Sequence, residues 1–284
     1  MRILQYAAAI ATASLVAQTV AAPTESVLPA PPRISGSPAA GTSVANVEEN
    51  SDELWKNKYF RTGDDILGHY DARYFHGVVS YEERTDTLTH LIRAYLGFFR
   101  EQGLDTWIAH GTLLGWWWNG KMLPWDWDVD TQVSAATLQY LANNLNRTMH
   151  FYVSQDKKVK RHYLLDVNPW IWERERGDGM NIIDARWIDV RNGLYIDITG
   201  LSEIHPDIFP GVWSCKNYHR YSTSDLYPLR ESIYEGVPAK IPYAYDKVLT
   251  QEYQQKALVL TEYEGHFWDP SLKEWVKKPE MEQK

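Results

Sequence analysis

Pro124-Trp125-Asp126-Trp127-Asp128-Val129-Asp130-Thr131-Gln132-Val133 is the stretch from which the fold is read. Trp127, Val129, Thr131 and Val133 fall at every second position, and Asp126, Asp128, Asp130 and Gln132 stand between them. A period of two is that of a strand with one face on a core, so 126–133 reads as a strand. Ser134 follows as a helix cap, and Leu138, Leu141 and Leu145 give the next segment an inward stripe to about Asn146. Upstream, Leu88, Leu91, Ile92, Tyr95, Leu96 and Phe99 repeat at helical spacing, and Gly103 stops the pattern. That predicts a helix over 82–102 and a short strand over 105–109. Further strands are expected at 150–153, 163–167, 181–188 and 193–199, and a helix near 245–258. The tail after Leu201 is rich in Pro and Tyr and reads as mostly loop. Strands and helices mix without a repeating βα unit. The expected class is α/β or α+β around a mixed sheet with flanking helices.

Three aspartates at i, i+2 and i+4 repel one another, and Asp is a poor strand former. A divalent cation relieves that repulsion. Carboxylates are hard ligands suited to Mg²⁺ or Mn²⁺, and Mg²⁺ is typically shared with substrate phosphates. Asp197, flanked by Ile196 and Ile198, is a fourth carboxylate of the same kind. Asp126, Asp128, Asp130 and Asp197 are therefore the expected metal ligands. Two other readings stand beside this one: an edge strand guarded by charge, and a glycosidase with paired carboxyls.

Composition narrows the classes. The 284 residues carry 29 Lys+Arg against 37 Asp+Glu, a net charge of -8. A binder of nucleic-acid backbone needs a basic face, so no nucleic-acid partner is expected. The single cysteine, Cys215, excludes an intrachain disulfide framework and a thiolate zinc site. Trp 13 and Tyr 18 outweigh Phe 7, and Trp118 and Trp125 are the candidates for stacking on a ligand. Trp127 shares the Val129 face and is assigned to the core.

Residues 1–22 hold Arg2, an apolar Ala-rich run and then small residues, the pattern of a secretory signal peptide cut after Ala21 or Ala22. Attachment to a membrane follows only where that segment is kept uncleaved. Residues 23–50 contain five of the 14 prolines among Ser, Ala and Thr and read as a disordered linker. Residues 52–280 form the expected folded domain. The destination is the secretory pathway: the Golgi lumen or the outside of the cell. Asn146-Arg147-Thr148 is a glycosylation sequon, with Asn146 as its acceptor.

His110-Gly111-Thr112-Leu113-Leu114-Gly115 followed by Pro124-Trp125-Asp126-Trp127-Asp128-Val129-Asp130 resembles the signature of the LicD family. That family includes bacterial phosphocholine transferases, fukutin and fukutin-related protein, and fungal proteins of mannosylphosphate transfer. Asn181-Ile182-Ile183-Asp184-Ala185-Arg186 and the segment 193–199 resemble the fungal branch, and the likeness spans roughly 85–268. The resemblance implies a nucleotidyltransferase-like fold, in which a Gly-Thr turn precedes an Asp-x-Asp strand. It implies Asp128 and Asp130 as paired metal ligands, Asp197 as the third carboxylate and Asp126 flanking them. His110, Gly111, Thr112 and Gly115 would face the donor. Bacterial members often carry an Arg where this chain has Trp118, so Lys121 or Arg186 would have to supply the phosphate-binding charge. The implied reaction is metal-dependent transfer of a sugar-phosphate or other alcohol-phosphate from a nucleotide-diphosphate donor to a glycan hydroxyl. The alternative is a non-catalytic positive regulator, or glycan-binding partner, within a mannosylphosphate transferase complex.

Overall fold

The computed structural model describes residues 58–61, 65–177 and 180–279. The expected signal peptide and linker lie outside them. The described residues fall in one unit, Val44–Lys284.

Helix α1 (Tyr81–Glu101) begins where Ser80 accepts a hydrogen bond from the Glu83 amide, and its stripe from Leu88 to Phe99 is buried. Strand β1 (Trp107–Ile108), helix α2 (His110–Asn119), strand β2 (Val129–Ser134) and helix α3 (Ala135–Asn144) follow. Ser134 caps α3 by accepting from the Thr137 amide. Then come β3 (Thr148–Val153), β4 (Lys160–Val167), β5 (Ala185–Asp189) and β6 (Tyr195–Glu203). The sheet order is β1-β2-β6-β5-β4-β3. Strands β2 and β6 run parallel, and the other neighbours are antiparallel. The result is a mixed sheet with flanking helices, as the residue pattern predicts. The core joins Leu88, Leu91 and Ile92 of α1 to Val129, Val133, Ile196 and Ile198 of the central strands.

The C-terminal part is loop-rich, with short elements set into it. These are β7 (Val212–Ser214) and β8 (Arg220–Ser222), which extend the main sheet, α4 (Thr223–Leu226), a hairpin of β9 (Arg230–Tyr234) and β10 (Val237–Ile241), and α5 (Tyr245–Tyr253). A small sheet of β11 (Glu262–Tyr263), β12 (His266–Asp269) and β13 (Glu274–Lys277) closes the described chain. The helix expected over 245–258 is α5 plus a 3-10 turn at Gln255–Leu258. Among the described residues no helix is long and apolar enough to cross a membrane.

Three local expectations are corrected, the first being that the strand expected over 181–188 is β5 and starts only at Ala185. The strand expected from residue 126 starts only at Val129. The Asp126 amide donates to Leu123 O in a turn, so Asp126, Trp127 and Asp128 enter the sheet as irregular chain. The Gly-Thr segment is not a turn but the start of α2. There Gly115 is required by close approach, because a Cβ on it would stand 2.4 Å from Lys121 O.

Candidate functional site: a carboxylate row between cavities

Asp130 on β2 and Asp197 on β6 are direct partners across the parallel ladder. Arg186 on β5 is in turn the partner of Asp197. Its Nε donates to Asp197 Oδ1 at 2.8 Å, and its guanidinium lies 3.5 Å from the Tyr195 ring centroid. Asp128 stands at the open end of β2, half exposed, with His69 Nδ1 4.0 Å from its Oδ2. Asp126 sits against α2: a Cβ on Gly111 would lie 3.2 Å from its Oδ2, so glycine there leaves room for the carboxylate. Thr112 is buried, and its Oγ1 accepts the Asp130 amide at 2.9 Å. Asp130 and Asp197 thus lie near the starts of the two parallel strands, while Asp128 and Asp126 precede β2 and lie on no strand.

Charge is crowded at this place. Burial, then the neighbouring Asp128, pushes the Asp126 carboxyl up to about 7, against a smaller pull from Arg84. Asp130 is raised by burial and by Asp128, Asp197 and Asp126, with His110 opposing. Burial raises Asp197 too, while Arg186 pulls it back. Every donor atom in the row is a carboxylate oxygen, the chemistry that Mg²⁺ and Mn²⁺ prefer. Among the described residues no three His, Cys, Asp or Glu side chains form a ready-made cage. A hard cation here would take one or two of these carboxylates and complete its shell with ligand oxygens.

Three recesses adjoin the row. One of about 630 Å³ is walled by Trp118, Trp125 and Trp275 with Asp126, Asp128 and Asp130. A second, of about 330 Å³, holds Lys58, His69 and Arg186 with Asp128 and Asp197. The third, of about 640 Å³, brings His110 beside Asp130, His219 and Glu252. His110 Nδ1 is 2.8 Å from Glu252 Oε2, and Tyr221 donates to the other Glu252 oxygen at 2.6 Å. Burial would lower the His110 pKa, but the Glu252 hydrogen bond and the charge of Asp130 outweigh it and raise it.

The structure gathers His110, Gly111, Asp126, Asp128, Asp130, Asp197, Arg186, Trp118 and Trp125 around these recesses. Three expected donor-facing residues are placed otherwise. Thr112 and Gly115 are buried and seat α2 against β2 and the 121–123 segment. Lys121 is exposed and paired with Glu274 on β13, so of the two expected phosphate-facing cations only Arg186 borders the row, with Lys58 in the same recess. Asn146 is exposed after α3, and its Oδ1 accepts the Val167 amide at 2.9 Å. Trp127 is only partly buried and lies under the Arg84 guanidinium at 4.1 Å. His69, Lys58 and Glu252 carry no sequence signal, because each reaches the row from a distant segment with no spacing motif.

The family model for the "LicD/FKTN/FKRP, nucleotidyltransferase domain" matches residues 103–244. That span contains all four aspartates, His110 and Arg186, but not His69 or Glu252. Two proteins of Saccharomyces cerevisiae are similar. "Mannosyltransferase regulator 14" is 36% identical over 163 residues, which cover 54% of this chain and 17% of the relative. "Mannosyltransferase regulator 4" is 38% identical over 137 residues, covering 47% and 12% respectively. The matched segment thus spans less than a fifth of either relative's length.

Proposed function

The chain belongs to the LicD family, and from that premise we propose that it transfers a sugar-phosphate from a nucleotide-diphosphate donor to a glycan hydroxyl in the secretory pathway. The observation that carries the reading is the pairing of Asp130 with Asp197 near the starts of parallel strands, with Asp128 just before β2 and Arg186 paired to Asp197. The names of the yeast relatives point to mannosylation, which makes GDP-mannose the first donor to try.

Asp128, Asp130 and Asp197, flanked by Asp126, would hold Mg²⁺ or Mn²⁺. Such an ion supplies positive charge against the donor diphosphate and the leaving nucleoside monophosphate. Arg186 and Lys58 add fixed positive charge from the Asp197 side. The acceptor oxygen bonds to the phosphorus that carries the sugar, and the phosphorus–oxygen bond to the nucleoside monophosphate breaks. The hydroxyl proton passes to a carboxylate of the row. Asp197, at the border of the recess that holds Arg186 and Lys58, is the carboxylate we assign to that role.

The second reading is a regulator that binds donor or glycan without turnover. The names of both relatives favour it. Purified protein with GDP-mannose, a mannose-rich glycan and Mn²⁺ separates the two. Transfer predicts release of GMP and a phosphodiester-linked product. Asp128→Asn and Asp130→Asn should each lower that rate on the order of a hundredfold or more. Binding of donor or glycan with no turnover, over a panel of nucleotide-diphosphate donors, selects the regulator.

A further inference from the structure

The two recesses that share Asp128 differ in charge and in the chemistry of their walls. In the larger one, Asp126, Asp128, Asp130 and Glu264 face a single cation, Lys256. In the smaller one, Lys58, Arg186 and His69 face Asp128 and Asp197. Carboxylates dominate the first wall, whereas in the second the Lys58 and Arg186 charges balance the two carboxylates, so a diphosphate meets less opposing charge in the second. The larger recess is also aromatic. Trp118 meets Trp275 at 4.8 Å and 73° between ring planes, Trp125 meets Trp275 at 5.0 Å and 82°, and Trp125 meets Tyr263 at 5.2 Å and 62°. Edge-to-face rings build walls, not a closed stack. At about 630 Å³ it lies inside the ~300–1,000 Å³ range of small-molecule sites.

A neutral polyol matches both properties. Its hydroxyls donate to carboxylates, and its C–H face rests on indole rings without charge repulsion. We propose that the cavity walled by Trp118, Trp125 and Trp275 is the saccharide acceptor subsite, with donor phosphates held across the row at Arg186 and Lys58. Group transfer then runs across Asp128, from the cationic recess to the aromatic one. The direction of transfer rests on the reading of the chain as a transferase; the saccharide site itself does not.

The test is a titration of the full chain, followed by tryptophan fluorescence and by ligand-observed NMR. The probes are an α-linked manno-oligosaccharide and, separately, GDP. Trp125→Ala should weaken oligosaccharide binding about tenfold, the order of one lost aromatic contact, and Trp125→Phe should restore much of it. Tyr263 is exposed, so Tyr263→Ala supplies a variant that keeps the fold and should weaken the same probe severalfold. GDP binding should fall with Arg186→Met and ignore Trp125→Ala and Tyr263→Ala. Oligosaccharide binding that is absent, or indifferent to both aromatic variants, overturns the assignment. So does GDP binding that falls with Trp125→Ala, which would give the cavity to the nucleotide. A protein that binds saccharide through Trp125 yet turns over no donor keeps the subsite and refutes the transferase reading.

Discussion

Replacing Asp126 by Asn tests the electrostatic account of the row directly. Its carboxyl is pushed up to about 7 from the ordinary 3.8, first by burial and then by Asp128. At about 1.4 kcal/mol per tenfold change in proton affinity, keeping this group ionised above neutrality costs the fold about 4 kcal/mol at most. Asparagine removes the charge but still buries a polar amide, which costs about 1–3 kcal/mol. The net expected gain is about 1–3 kcal/mol, or roughly 3–10 °C in Tm for a domain of this size. The gain depends on pH with a fixed sign. Below about pH 3, the carboxyl is largely protonated in both folded and unfolded chains, and the penalty is absent. Between about pH 4 and 7 the unfolded chain releases the proton while the folded one keeps it, so wild-type stability falls as pH rises. Above about pH 7 the difference between variant and wild type is constant. Circular-dichroism melts in chelator across this range measure it, and millimolar Mn²⁺ should narrow the gap by stabilising the wild type more. A variant less stable than wild type near pH 8 in chelator would refute the reasoning, as would a difference that ignores pH.

Gly115→Ala forces a Cβ to 2.4 Å from Lys121 O, so α2 must shift off the 121–123 segment. Urea unfolding should show a loss of about 1–3 kcal/mol. Thr112→Val leaves the Asp130 amide without its 2.9 Å acceptor and should cost about 1–3 kcal/mol, whereas Thr112→Ser should cost less than 1. Arg186→Met leaves Asp197 buried without its guanidinium and should cost about 3–5 kcal/mol near pH 8. Adding Asp197→Asn should recover much of that loss, which a double-mutant cycle on denaturation midpoints detects; additive losses would show that Arg186 acts mainly by packing.

The parts of the fold legible from sequence are those in which one face of an element meets the core. The stripe of α1 and the cap at Ser134 are local signals, and both stand as read. The alternation across 126–133 misleads at its start, because side-chain period and ladder hydrogen bonding are separate properties. Trp127 keeps its place in the alternation by lying under Arg84, yet the chain there pairs with no strand. Helix α2 escapes notice because Ala109 caps it without a side-chain bond and glycines at 111 and 115 lower helix propensity. Tertiary packing decides the segment instead, since Leu113 and Leu114 are buried and Thr112 is tied to β2. At the site, the residues carried on one strand or its entry are readable as a row. Those that arrive from elsewhere are not. His69 lies far upstream and Glu252 far downstream, and only the folded chain brings them to Asp128 and His110.

The row is costly where it stands, and the cost is specific. Asp126, Asp130 and Asp197 all bind protons more tightly than free carboxylates, so each opposes folding once ionised. Arg186 offsets that opposition only at Asp197, and Arg84 only weakly at Asp126. A structural ion-pair network would lower these proton affinities, as Arg73 does for Asp71 elsewhere in the chain. On the proposed function, these under-compensated carboxylates at the junction of three recesses are where a cation would sit. A transferase and a donor-binding regulator both need that feature, so it belongs to the fold's common ground and cannot separate them. What separates them is a proton acceptor within reach of a bound hydroxyl. Asp130 borders the aromatic recess and Asp197 the cationic one, so a hydroxyl in the first and a phosphate in the second would meet across a single pair of ladder neighbours.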